Sequence, residues 1–194
     1  MRSFFLATAI VFSMPLAWAL DAPSNWVETK TQEILAEIAA ADLAVDDSAG
    51  QAALAERIII PHVDVSGIAM RAVGRPWRQV SDVDQQRFIT GMKQNLLSLY
   101  GGAFSQFKSA DLEVLSERIG KRGDRAIVNT RLRRPGEEWL AAEFRLVSTD
   151  QIDWQVLDVA IEGVSLLSSY KAQIDERLNR LGLQGTIDEV AAGR

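Results

Sequence analysis

The chain has one histidine and no cysteine in 194 residues, and that scarcity bounds the chemistry open to it. His62 lies in Pro61-His62-Val63-Asp64, and an imidazole two residues from a carboxylate is a pairing that general-base catalysis can use. A nucleophile would still be needed, and the chain has no G-x-S-x-G turn to present a serine. At a boundary between helices, His62 suits a hydrogen-bonded structural role better. Glu143 and Asp158 are carboxylates inside apolar strands, where a two-carboxylate glycosidase site would sit. Arg125, Arg131, Arg133 and Arg145 are available as cross-strand partners, which is the commoner fate of such carboxylates. The absence of cysteine removes disulfides, thiolate nucleophiles, Fe–S clusters and Cys-based zinc sites, and a single histidine removes His-rich metal sites. No catalytic residue, metal or cofactor is expected, and the rival reading is an exported hydrolase using His62 and a carboxylate.

Charge points away from nucleic acid. Twenty-one Lys and Arg face twenty-six Asp and Glu, a formal charge of −5, whereas nucleic-acid affinity comes from clustered cations that release counterions. One local exception is a basic hairpin over residues 121–134, holding Lys121, Arg122, Arg125, Arg131, Arg133 and Arg134. It reads either as a solvated face guarded against edge-to-edge pairing or as a docking patch for an acidic or phosphate-bearing partner.

Residues 1–19 read as an address: Met-Arg, an apolar run from Phe4 to Leu16, then Ala17-Trp18-Ala19. That pattern describes a secretory signal peptide cleaved after Ala19, and the run is too short for a bilayer, which needs about 20 apolar residues. No cysteine follows to carry a lipid anchor, so the expected product is exported, soluble and free to diffuse.

These residues must be positioned by a single continuous domain over 20–194, with a helical part at about 24–107, a sheet at about 111–161 and C-terminal helices at about 164–192. Asn25 with Glu28 predicts the start of a first helix, and Asp46-Asp47-Ser48 opens a second that Pro61 stops. Asp64 caps a short third helix that ends at Gly74. Ser81 and Asp84 have capping-box spacing for a long fourth helix, apolar at Phe88, Met92, Leu96, Leu99 and Ala103 and widened by Ile89, Leu97, Tyr100, Phe104 and Phe107. So broad an apolar arc is either buried on two sides or faces a core and lines a cavity.

From residue 111 the period changes to two, with turns at Gly120–Gly123, Pro135-Gly136 and Ser148–Asp150, which predicts a four-stranded antiparallel meander. Ala126, Val128, Thr130 and Leu132 share one face of the second strand. The third strand carries Ala141 and Ala142 between Leu140 and Phe144. Strict alternation puts Trp154, Val156 and Ala160 on one face of the fourth strand and Leu157, Val159 and Ile161 on the other. Val164, Leu167, Ile174, Leu178 and Leu181 mark a final helix that ends at Gly182, followed by a helical tail. The fold class is α+β, a curved antiparallel sheet with helices on one face and a helical subdomain at the N-terminal end. Small residues opposite a broad apolar helix fit equally a doubly covered centre strand or an unfilled cavity.

Ile60-Pro61-His62-Val63-Asp64, Gly74-Arg75-Pro76-Trp77-Arg78, Gln86-Arg87-Phe88 and Leu99-Tyr100-Gly101 together resemble the MlaC (toluene-tolerance) family of periplasmic phospholipid-binding proteins. The run from Trp154 to Leu166 is similar to the most distinctive segment of that family, and the match proceeds in order from about Leu54 to Leu183. The resemblance implies a nuclear-transport-factor-like curved sheet and a soluble periplasmic shuttle; a monomer is the default expectation for a diffusing carrier. Its partners would be an outer-membrane lipoprotein–porin complex and an inner-membrane ABC transporter of the Mla type that maintains outer-membrane lipid asymmetry. It further implies a pocket for a phospholipid ligand in which Tyr100, Ala142, Phe144, Leu157 and Val164 take part, and Leu96, Phe104, Val128, Val159 and Leu167 are grouped with them as lipid contacts. Ala141-Ala142 departs from members that carry a larger residue there. Each methylene moved out of water is worth about 0.8 kcal/mol, so two acyl chains of about 30 methylenes represent roughly 24 kcal/mol gross. No Walker-type phosphate loop is present, so any ATP hydrolysis belongs to a partner.

Overall fold

The computed structural model describes residues 20–44, 46–104, 109–148 and 153–193, with side chains left aside at 100–104; the expected signal peptide lies outside the described residues. Helix α1 runs Pro23–Ala41. It starts ahead of the predicted Asn25, because proline fits the first helical turn, where its missing amide costs nothing. Helix α2, Ser48–Ile58, is capped by the Asp47 carboxylate, which accepts from the Gly50 amide at 2.9 Å. It ends before Pro61, and the chain then makes a 3₁₀ turn at Ile60–His62. Asp64 caps α3, Val65–Val73, and Gly74 closes it with φ +72°, a conformation that favours glycine. After a second 3₁₀ turn at Arg75–Gln79, α4 runs Asp82–Phe104. Half of the predicted capping box is present: the Asp84 amide donates to Ser81 Oγ at 3.2 Å, while the Asp84 carboxylate accepts from that hydroxyl at 3.0 Å in place of the Ser81 amide.

The meander follows as β1 (Asp111–Ile119), β2 (Arg125–Arg133), β3 (Leu140–Val147) and β4 (Gln155–Ile161). A two-residue β5, Val164–Ser165, extends it to an open sheet of order β1-β2-β3-β4-β5. Val164, read from sequence as the start of the last helix, belongs to this strand. Helix α5 spans Leu166–Ala191 and breaks its geometry at Gly182 (φ 70°), where the end of the main helix was expected.

Register defines two unlike faces. Val128 pairs with Phe144 and Thr130 with Ala142, while Phe144 pairs with Val159 and Ala142 with Ile161, so these residues share one apolar face. The opposite face carries Asn129, Arg131, Glu143, Arg145 and Asp158. Strict alternation along β4 fails, because a bulge makes Val156 pair with Leu146 while Asp158 pairs with Arg145. Leu157 is the extra residue. Val156 therefore joins Val159 and Ile161 on the apolar face, and Ala160 turns away with Asp158. A second bulge lies between Val114 and Ser116, and both bend the strands that carry them.

Two hydrophobic clusters hold the molecule. In one, Trp26 and Val27 of α1 press on Ala126, Val128, Leu146 and Trp154 of the sheet region. In the other, Ala69, Ala72, Val73, Phe88, Met92, Tyr170, Ile174, Ile187 and Val190 join α3, α4 and α5. Among the described residues α4 packs mainly on α2, α5 and α3, so helices on several sides cover the described part of its broad apolar arc. Arg87 ties it to α5 through Asp188 at 2.8 Å and Lys93 ties it to Glu56 of α2 at 2.6 Å. The helical layer meets the sheet at the outer edge of β4, where Val63 forms a parallel bridge to Val156 and the Asp64 amide donates to the Val156 carbonyl at 3.0 Å.

Candidate functional site

The apolar sheet face is covered unevenly. Near α1 it is sealed, and Ala126, Val128 and Leu146 are buried. Toward the other end of the strands Leu132, Leu140, Val159 and Ile161 are only half-buried, and they stand outside both hydrophobic clusters. These four large aliphatic side chains share the face of Phe144 and are left partly uncovered. Polar residues on this face have partners: Glu117 of β1 is in register with Val128 and its carboxylate accepts from the Ser24 amide of α1 at 2.8 Å, and Thr130 lies on β2. Thr130 is buried there and its Oγ1 donates to the Ala142 carbonyl at 3.0 Å, so it presents a methyl group rather than an unmet hydroxyl.

The predicted contacts distribute as follows. Val128, Ala142, Phe144 and Val159 are brought together on this face, the first two buried and the last two half-buried. Leu157 is half-buried at the β4 bulge. Leu96 packs instead with the helical cluster. Leu167 is half-buried in the first turn of α5, and Val164 is 60% exposed at the sheet's end. Tyr100 and Phe104 occupy the last turn of α4, and their side chains lie outside the described residues. Leu132, Leu140 and Ile161 were not singled out by sequence reasoning. Their signal was cross-strand pairing, Leu132 with Leu140 and Ala142 with Ile161, which becomes visible only once register is known.

The end of the site is held by a polar junction on the opposite face. Asp158 is buried; it accepts from Ser165 Oγ at 2.6 Å, from the Leu167 amide at 2.9 Å and from Arg145 Nη1 at 3.1 Å. A carboxylate against the first amides of α5 suits the positive end of the helix. Ser165 also caps that helix by accepting from the Ser168 amide at 3.0 Å. Glu162 adopts φ 49° and Gly163 φ 79° in the tight turn before β5. The Glu162 carboxylate accepts from the Ala141 amide, and its own amide donates to the Ala141 carbonyl at 3.0 Å. Glu143 meets Arg145 Nε at 2.8 Å, so both strand carboxylates share Arg145: Asp158 across the strands, as expected from sequence, and Glu143 from within β3 itself.

His62 stands edge-on to Trp26, ring centroids 6.0 Å apart. Burial pushes its imidazole below the ordinary value and the Lys30 charge adds to this, against opposing pulls from Asp153 and Glu33. Tyr170, deep in the helical cluster, is pushed up to about 12 by burial. A separate shallow groove of about 580 Å³ lies between α4 and the end of α5, lined by Val83, Gln86, Arg87, Thr90, Asp188 and Ala191. The Arg87–Asp188 ion pair crosses it, which makes it a poor bed for hydrocarbon. Among the described residues no cluster of metal-ligating side chains forms, and no helix is long and apolar enough to cross a membrane.

No curated protein matches the chain. Among solved structures, the fold is similar to that of a phospholipid-binding protein from Ralstonia solanacearum solved in complex with a phospholipid. The TM-score is 0.75 at 23% identity, over 89% of this chain and 98% of that one. The family model of the MlaC protein matches residues 28–192, which take in every described element from the body of α1 through α5. By that match the chain belongs to the MlaC protein family.

Proposed function

We propose that the protein is a phospholipid carrier of the periplasm, a binding protein rather than an enzyme. It holds acyl chains against the half-buried row Leu132, Leu140, Phe144, Val159 and Ile161 and leaves the headgroup near the rim. The observation that carries this reading is the division of the interior. A domain of this size ordinarily has one contiguous hydrophobic core, and here there are two clusters, with Leu132, Leu140, Val159 and Ile161 half-buried and belonging to neither. A hydrocarbon guest supplies the missing contacts. Family membership supports the reading, and so does the phospholipid held by the Ralstonia protein of similar fold.

As a carrier it would exchange lipid between an inner-membrane Mla-type ABC complex and an outer-membrane lipoprotein–porin complex. Bilayer and pocket are both apolar, so transfer between them is nearly balanced, and direction comes from the partners. Export through residues 1–19 and action as a monomer belong to the same proposal. The test is to purify residues 20–194 without detergent, extract with organic solvent and identify lipid by mass spectrometry. About one phospholipid per chain is expected. A lipid-free protein that takes up none from vesicles would refute the reading. His62→Ala should keep its lipid, whereas a hydrolase built on His62 would lose its activity.

A further inference from the structure

The outer face of the sheet treats its arginines in two ways. Along one half each is matched: Arg131 meets Glu113 at 2.6 Å, Arg133 meets Asp111 at 2.8 Å, and Arg145 meets Glu143 at 2.8 Å. Arg131 and Arg133 also both stack on Trp139, at 4.5 and 4.4 Å from its ring centre. At the β1–β2 hairpin end the matching stops. Arg118 pairs in register with Ile127, which puts it on the same face as Arg125 and diagonal to it. Neither of these arginines, nor Lys121 in the turn, has an ion pair or side-chain hydrogen bond among the described residues. Three uncompensated cations close together in a chain of net charge −5 do nothing for the stability of the fold.

Protection of an open sheet edge does not explain them. Arg125 is on β2, an inner strand, where no edge needs guarding. The edge strand β1 meanwhile leaves Leu115 54% and Ile119 49% exposed, Ile119 in register with Ala126 and so on the face opposite Arg118 and Arg125; exposed aliphatic residues are the reverse of what edge protection requires. A hairpin end with free cations on one face and a large aliphatic side chain on the other has the composition of an interfacial anchor that enters end-on: charge is drawn to anionic headgroups while the apolar residue enters the boundary region. A smeared negative potential needs no fixed acceptor geometry, and none is built here.

We propose that this hairpin end is a docking element for an anionic phospholipid bilayer, meeting it end-on with Arg118 and Arg125 on one face, Ile119 on the other and Lys121 in the turn. This is independent of the carrier reading, because adsorption to a bilayer and occupancy of the interior are measured separately. The experiment is flotation of residues 20–194 with vesicles of phosphatidylethanolamine and phosphatidylglycerol, or of phosphatidylcholine alone. Binding is expected only to the anionic vesicles, and it should be lost at high salt. R118Q/K121Q/R125Q should weaken it roughly tenfold or more, and Ile119→Ser should weaken it with salt dependence retained. The bound-lipid content from solvent extraction should not change in either. The control R57Q/K93Q/R180Q, which removes equal charge elsewhere, should bind like the wild type. No adsorption by the wild type, or equal loss in the control, would overturn the proposal. Capture by immobilised poly-glutamate without adsorption to anionic vesicles would also overturn it, in favour of an acidic protein partner.

Discussion

The hydroxyl of Thr130 points along the sheet to the carbonyl of Ala142 on the neighbouring strand, 3.0 Å away. A polar residue thus sits on an apolar face without an unmet donor. Replacing it by the isosteric valine removes one neutral hydrogen bond and leaves a carbonyl that the sheet ladder already serves. Thr130→Val should change stability by no more than about 1 kcal/mol in urea unfolding and should leave lipid content unaltered. A large loss of lipid in this variant would mean that the hydroxyl serves the ligand.

Val159 pairs directly with Phe144 on the half-buried part of the same face. An indole at this position would occupy the uncovered space without breaking an existing contact. Val159→Trp should lower the lipid-to-protein ratio roughly tenfold, equivalent to about 1.4 kcal/mol of binding. Its thermal midpoint, measured on delipidated protein, should match that of delipidated wild type. If the space were already filled, overpacking would cost about 1–3 kcal/mol of stability instead.

Asp158 gathers Ser165, the Leu167 amide and Arg145, and so joins β4, β5 and α5. Asp158→Ala strands those donors at a buried point. Arg145 is partly exposed and water can reach it, so the cost comes mainly from the other two. A destabilisation of about 2–3 kcal/mol is expected in denaturant titration, with Asp158→Asn losing about half as much.

Gly91 allows α4 to touch α5: a Cβ placed there would come within 2.2 Å of the Val190 carbonyl oxygen. Alanine has the better helix propensity by about 1 kcal/mol, yet the clash is with backbone, which cannot turn aside. Gly91→Ala should therefore be destabilising overall by about 1–3 kcal/mol, read from the urea midpoint. A neutral or stabilised variant would show that the two helices part easily.

The depressed imidazole of His62 gives stability a pH dependence. Below its ordinary value of 6.5 the unfolded chain binds the proton first, so stability falls as pH drops from there through the folded-state value. Asp84 is held low by hydrogen bonds from Arg87 and Ser81, and its contribution is lost only further down, below about 3.8. Urea midpoints between pH 7.5 and 5.0 should decline with acid, and His62→Gln should flatten that slope. An unchanged slope would assign it to other groups.

What was legible in the sequence is what local chemistry determines. Asp47, Asp64 and the Ser81–Asp84 pair act as helix caps as read, and the glycine turns and period-two strands fall where the pattern put them. Three features escaped because no local signal encodes them. The bulge at Leu157 exchanges the faces of β4 partway along, and alternation contains no warning of it. The α4 stripe shows that something apolar covers it, but not that α2, α3 and α5 do so. Val164 has helical spacing with Leu167, yet Ser165 is the cap, so Val164 is left in a strand. At the candidate site Val128, Ala142, Phe144 and Val159 were found from the sequence, while Leu132, Leu140 and Ile161 needed the strand partners that bring them alongside.

The seam at Val63 and Val156 stitches the helical layer to the outer margin of the sheet, and Val156 packs against one of the two greasy centres. An occupant wedged between those centres would act as mortar, so unloading would slacken the protein itself. Ligand linkage then makes the filled form melt higher than the emptied one, by an amount that grows with how tightly the cargo is gripped.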